Sequence, residues 1–247
     1  MRQALPLAAI LLLGLLVAGA VVVRTRGRDS RVGESAADGV RLLPRDRGQP
    51  VRYVALGDST VAGVGASSPE RNYVSGVHAR LRAVYPAAQV TNLGVGGATA
   101  ADVVRGQLRR AVDLQPRLVT LSIGPNDITQ GREARAYERD IETIFRTLTR
   151  ETGAVLVVNL LPDLGVAPRF TPAERDAAGR QTMLFNEALR RQAERYGVEV
   201  VDLYGPSRQE VPRRPEWVAG DGYHPSDEGY AAWAELMWRG VQARIPE

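Results

Sequence analysis

Residues Val51–Thr60 read VRYVALGDST: an apolar run closed by Gly57, then an acid and two hydroxyl residues. Short apolar runs of this kind, rich in valine and bounded by glycine, form buried strands. Ser59 therefore falls in the loop just past a strand end. Outward from this point the same arrangement recurs. A strand is expected at Gln89–Leu93, followed by Gly94-Val95-Gly96-Gly97, and another at Leu118–Ile123, followed by Gly124-Pro125-Asn126-Asp127. Two more are expected at Ala154–Leu160 and Val198–Leu203. Between them lie stretches with helical patterning, at Tyr73–Val84, Ala100–Leu114 and Glu133–Glu151, within Pro172–Tyr196, and after Ser226. Strands alternating with amphipathic helices predict an α/β fold, a five-stranded parallel sheet covered by helices on both faces. Sites in such sheets form at the carboxyl ends of strands. Ser59, Gly94 and Asn126 each follow a strand, so all three fall on one edge of the sheet.

Toward the N-terminus the pattern changes. Ala4–Val23 is apolar throughout, with Arg2 before it and Arg24, Arg26 and Arg28 after it. As a helix it would span about 30 Å, one hydrocarbon core. Ala18-Gly19-Ala20 resembles a signal-peptide cleavage site, but Val21-Val22-Val23 carries the apolar run past it. Residues 1–23 are therefore expected to be an uncleaved signal anchor, with membrane contact through residues 4–23. The alternative is a cleaved signal and a secreted domain. An extracytoplasmic domain is the expectation, although the arginines that follow the run pull the other way. Residues 24–49 are rich in Arg, Asp, Gly and Ser and lack a period, which predicts a flexible linker. The folded domain is then expected over residues 50–247.

Composition removes several chemistries. There is no cysteine among the 247 residues, and all 32 Lys+Arg positions are arginine. Cysteine nucleophiles, zinc–thiolate sites, Schiff-base lysines and P-loops are excluded. The net charge of +4 does not argue for nucleic acid. The arginines alternate with acids along stretches such as Glu133–Glu151, the pattern of an ordinary solvated helix face. Nothing in the chain calls for a metal or another cofactor: the two histidines, His78 and His224, are far apart.

His224 lies in Asp221-Gly222-Tyr223-His224, just before the last helix, where Ser226 can cap and Asp227 and Glu228 can occupy the first turn. A carboxylate three residues from an imidazole can hold its Nδ1–H and leave Nε2 free to take a serine proton. Ser59, Asp221 and His224 are the candidate nucleophile, orienting acid and base. His78 sits within a predicted helix and has no such partner. Asn126 offers an amide donor which, with the backbone N–H groups of Ser59 and Gly94, makes a candidate oxyanion hole. Asp58 and Asp127 read as loop braces. The glycine stretch does not fit a dinucleotide fingerprint, because Thr99 stands where the last glycine would be. Nor is Ser59 in a Gly-x-Ser-x-Gly elbow, since Val61 replaces the second glycine.

Taken together these blocks resemble the SGNH, or GDSL, hydrolase superfamily over roughly Val51–Arg244. The family's serine, glycine, asparagine and histidine blocks fall on Ser59, Gly94, Asn126 and His224, and its aspartate on Asp221. The resemblance implies a flavodoxin-like three-layer sandwich and a metal-independent serine ester hydrolase. Its members include esterases, lipases, lysophospholipases, thioesterases and carbohydrate deacetylases. Thr60 departs from the family's leucine, and altered loop packing without loss of chemistry is expected there. Lipid or other carboxylic esters are the expected substrates, with cell-wall or carbohydrate O-deacetylation as the alternative. A membrane-tethered binding protein on a hydrolase fold is the reading from another class. The apolar residues of Leu160–Phe170, after the fourth strand, fit either an acyl pocket or loop core.

Overall fold

The structure, a computed structural model, describes residues 40–247. The expected anchor over residues 4–23 lies outside them. Among the described residues, no helix is long and apolar enough to cross a membrane.

Five parallel strands form one sheet: β1 (Arg52–Gly57), β2 (Gln89–Asn92), β3 (Leu118–Ser122), β4 (Val155–Asn159) and β5 (Glu199–Val201), in the order β2-β1-β3-β4-β5. The chain moves to one side of β1 to make β2, then crosses to the other side for β3. The crevice at that change of direction is where ligands bind in open α/β sheets, and Ser59 stands at its edge.

Alternate residues of each strand feed opposite cores. Val54, Leu56, Val119, Leu121, Leu156 and Val158 pack on one face. That face is covered by α4 (Leu108–Asp113), α6 (Ala134–Glu151) and α7 (Pro172–Tyr196). Tyr53, Ala55, Leu118, Val155 and Val157 pack on the other, beneath α2 (Tyr73–Val84) and α9 (Asp227–Gln242). Arginines of α7 meet acids of α6, as in Arg191–Glu138 at 2.9 Å and Arg195–Glu142 at 3.0 Å. That is the solvated, charge-paired face expected from the alternating signs.

Shorter helices carry the loops around the crevice: α1 (Ser59–Ala62), α3 (Ala100–Asp102), α5 (Pro125–Thr129) and α8 (Tyr204–Glu210). The helix expected over Ala100–Leu114 is interrupted. α3 runs through a π-turn at Val103–Gln107 into α4.

The linker expected over residues 24–49 ends earlier than anticipated. Leu43 is 2% exposed, and its N–H donates to the Arg244 carbonyl at 2.8 Å. Arg41 donates to the carbonyls of Thr149 and Thr152 at 2.5 and 2.9 Å. Arg41 thus binds carbonyls left open at the end of α6, a use of charge that composition alone does not reveal.

Candidate active site

Ser59 opens α1 immediately after β1. Gly57 makes the approach possible. Its φ is +146°, and a Cβ there would lie 1.9 Å from the Ser122 carbonyl oxygen, so only glycine fits. Both polar groups of the Gly57 backbone are met by one side chain. Gln107 Oε1 accepts its N–H at 2.9 Å, and Gln107 Nε2 donates to its carbonyl at 2.8 Å. Gln107 is 4% exposed and ends the π-turn. Nothing in the local pattern of residues 100–114 marks it out.

Asp58 caps α1. Its Oδ1 accepts from the Thr60 N–H at 2.9 Å and the Thr60 hydroxyl at 2.8 Å. Thr60, where a leucine is usual, thus adds a hydrogen bond to the cap, and its hydroxyl also lies 3.2 Å from Ser122 Oγ. Asp58 is 1% exposed. Burial pushes its carboxyl up to about 6, against the opposing pull of the Thr60 hydrogen bonds and of His224. Asp58 Oδ2 is buried without a partner among the described residues, as are the Tyr223 hydroxyl and Trp233 Nε1. Asp127 is also a brace. It accepts the Ala100 N–H at 3.0 Å and pairs with Arg132.

His224 meets Ser59 from across the chain. His224 Nε2 lies 2.9 Å from Ser59 Oγ, although 165 residues separate them. On the ring's other side, Nδ1 lies 2.5 Å from Asp221 Oδ2. Nδ1 against a carboxylate is the N–H side of the ring, so Nε2 is bare and accepts from the serine hydroxyl. The loop holds itself in this shape. Asp221 Oδ1 accepts the backbone N–H groups of Tyr223 and His224 at 2.9 and 3.0 Å. Burial raises the cost of its charge, but the bonds from the His224 ring and from the two N–H groups outweigh it and hold Asp221 down at about 2. Ser226 caps α9 as expected, accepting from the Gly229 N–H at 3.3 Å. The Arg169 N–H donates to Gly222 O at 2.9 Å, tying this loop to the one after β4. His78 stands apart on α2, with Nε2 3.1 Å from the Ala88 carbonyl.

Asn126 opens the first turn of α5, and its Nδ2 donates to the Ala98 carbonyl at 2.9 Å. An amide nitrogen carries two hydrogens, so one remains. Gly94 departs from expectation as an oxyanion donor. Its N–H already donates to Asn92 Oδ1 at 2.9 Å. A Cβ at Gly94 would lie 2.6 Å from the Ala62 nitrogen and 2.7 Å from Val61 Cβ. Gly94 is therefore needed for close packing of the loop on α1. Asn92 completes the clamp by donating to the Val61 carbonyl at 2.6 Å. The backbone N–H groups of this loop without a partner among the described residues are those of Gly96 and Gly97, beside the Ala98 carbonyl that holds Asn126. The Ser59 N–H, first in its helix, is likewise open.

A cleft runs from Ser59 and His224 along the loop after β4, α8 and α9. The stretch Leu160–Phe170 divides here. Leu160 and Leu161 are 1% exposed in the core, whereas Leu164 and Val166 line the cleft. As a unit these groups can pass a proton from a hydroxyl to an imidazole beside open N–H donors and an apolar wall.

Known proteins resemble this chain in family and in fold. Residues 55–232 match the GDSL-like Lipase/Acylhydrolase family. A GDSL-like esterase of Mycobacterium tuberculosis is 28% identical over 209 residues, which is 80% of this chain and 63% of the relative. The chain thus spans under two thirds of that protein's length. Among solved structures, an acetylxylan esterase of Geobacillus stearothermophilus superposes with a TM-score of 0.63 at 21% identity, over 77% of this chain and 94% of that one. A psychrotrophic esterase of Pseudoalteromonas superposes with a TM-score of 0.63 at 14% identity, over 78% and 97%. At such identities the shared property is the fold. The chain belongs to the GDSL-like lipase/acylhydrolase family.

Proposed function

We propose that this family member hydrolyses carboxylic esters through an acyl-enzyme on Ser59, with His224 as base and Asp221 orienting it. The observation that carries the reading is the 2.9 Å contact between His224 Nε2 and Ser59 Oγ, with Asp221 on the opposite ring nitrogen. In the first half-reaction Oγ bonds to the ester carbonyl carbon and its proton passes to Nε2. The carbon–alkoxy bond breaks, and the alcohol leaves with that proton. Water then attacks the acyl-enzyme, again giving a proton to His224, and the acid is released with the Ser59 hydroxyl restored. Asp221 keeps Nδ1 protonated and steadies the imidazolium formed in each step. The developing oxyanion takes the Ser59 N–H, the remaining Asn126 amide hydrogen and the Gly97 N–H. Gly97 replaces Gly94 in this role because the Gly94 N–H is already bonded to Asn92.

The chain's placement belongs to the same proposal. A membrane anchor over residues 4–23 holds the domain on the extracytoplasmic face, close to lipid esters. The test is chemical. A fluorophosphonate probe should label Ser59, and Ser59→Ala should lose labelling and about 10⁶ in kcat on p-nitrophenyl esters, with an unchanged fold by circular dichroism. Near-wild-type turnover in the purified variant would sink the mechanism.

A further inference from the structure

The cleft that meets Ser59 and His224 is walled largely by apolar side chains. Leu164 and Val166 come from the loop after β4, Leu203 from the turn between β5 and α8, Val211 from just beyond α8, and Leu236 from α9. Val166, Val211 and Leu236 are only half-buried, so apolar surface stays open beside the reacting groups. Several polar groups on the same wall are engaged within the chain, and those without a partner among the described residues, Asp58 Oδ2, the Tyr223 hydroxyl and Trp233 Nε1, are buried away from the cleft surface. Asp163 Oδ1 accepts the Gly165 N–H at 2.9 Å. The Ser207 hydroxyl accepts the Asp163 N–H at 2.8 Å and donates to the Tyr204 carbonyl at 3.0 Å. A sugar ring would need several free donors and acceptors here, whereas a hydrocarbon chain needs what the wall offers.

We propose, resting on the serine esterase reading, that this cleft receives the acyl part of the ester, making aliphatic acyl groups longer than acetyl the preferred substrates. Each methylene that enters leaves water for the Leu164–Leu236 wall, and discrimination of tenfold or more between acyl groups follows from a few such contacts. Ser59 itself lines the cleft, so an acyl group carried on its Oγ has this wall beside it.

The experiment holds the leaving group constant and varies the acyl chain. p-Nitrophenyl acetate, butyrate, hexanoate and octanoate are offered to the full chain and to two variants, Ala232→Phe and Leu236→Ala. Ala232 is half-buried on α9 and lines the cleft, so phenylalanine there fills it. Leu236→Ala instead removes wall surface and serves as a second route if the larger side chain prevents folding. The expected results are a kcat/KM for hexanoate or octanoate at least about tenfold above that for acetate, and a fall of similar size in this ratio in either variant. Acetate as the best substrate, or a ratio unchanged in both variants, overturns the proposal while leaving the serine mechanism standing. A chain neither labelled by fluorophosphonate nor active on any of the four esters overturns both.

Discussion

Ser59 and His224 meet at 2.9 Å, yet the chain holds them by opposite means. The serine is built from inside. It follows a strand buried on both faces, and its neighbours Asp58, Gln107 and Gly57 are locked by hydrogen bonds out of reach of water. The histidine is built from outside. Its loop is shaped by a single carboxylate, Asp221, whose side chain is 42% exposed against 14% for the ring it orients. One half of the site inherits its position from the sheet. The other makes its position locally and is pinned by the capped start of α9 and by the bond from Arg169 to Gly222. Turnover and stability should therefore be coupled on the serine side and separable on the histidine side.

After the loss expected of Ser59→Ala, the next largest effect tests the separable side. Asp221→Asn keeps an oxygen for the N–H groups of Tyr223 and His224 but cannot keep Nδ1 protonated and stabilise the imidazolium. We expect kcat to fall roughly 10⁴-fold. Urea unfolding at pH 7 should change little, because solvent screens so exposed a carboxylate. A loss of stability that tracked the loss of turnover would erase the contrast between the two halves.

A second test uses pH on the buried side. Asp58 sits at about 6 in the folded chain against an ordinary 3.8. A raised acid favours the protonated folded state. Its contribution is therefore fully present below the ordinary value and is lost as pH rises from about 4 to about 6. The loss amounts to up to about 3 kcal/mol. Asp221 runs the other way. Held at about 2, it contributes a small, solvent-screened stability above its ordinary value and loses it as pH falls toward 2. In Asp58→Asn, which keeps an acceptor for Thr60, the decline in unfolding free energy between pH 4 and 6 should flatten. A slope that persists in the variant would assign the titration to another group.

The two sides also differ in how legible they were. The strands, the larger helices and the parallel sheet followed from hydrophobic periodicity. Ser59, Asn126 and His224 followed from their positions after strands and before a capped helix. Asp221 was readable because its partner lies three residues away. The serine side's supports were not readable, because they are contacts at long range. Gln107 lies 50 residues from Gly57, and its amide sits in a π-turn that a regular 3.6-residue pattern does not foresee. The place of Gly94 after β2 suggests an oxyanion donor. Its actual task, close approach to Val61 and Ala62, depends on a helix of four residues too short to show a period. The clasp from Asn92, at the end of β2 just before the glycines, to the Val61 carbonyl is hidden for the same reason. The linker boundary was misplaced because Arg41 and Leu43 dock on α6 and on the chain's last turn, partners that composition cannot supply.

The smallest expected effect is the sharpest test of the coupling. Gln107→Leu preserves volume in a site that is 4% exposed and removes both hydrogen bonds to Gly57. The Gly57 carbonyl retains the Val95 N–H at 3.1 Å, but the Gly57 N–H is left buried without an acceptor. An orphaned buried donor of this kind costs about 1–3 kcal/mol. Gly57 is two residues from Ser59 and cannot relax toward Ser122, because the backbone oxygen there is already in contact. The strain passes into α1, so kcat should fall along with stability, by about tenfold, while KM for p-nitrophenyl esters stays close to wild type. Gln107→Glu keeps an acceptor for the Gly57 N–H but loses the donor to its carbonyl, and should recover part of both losses. If Gln107→Leu lowered the unfolding free energy without touching kcat, the clasp would serve the fold alone, and the serine would owe its position to the β1–β3 pairing instead.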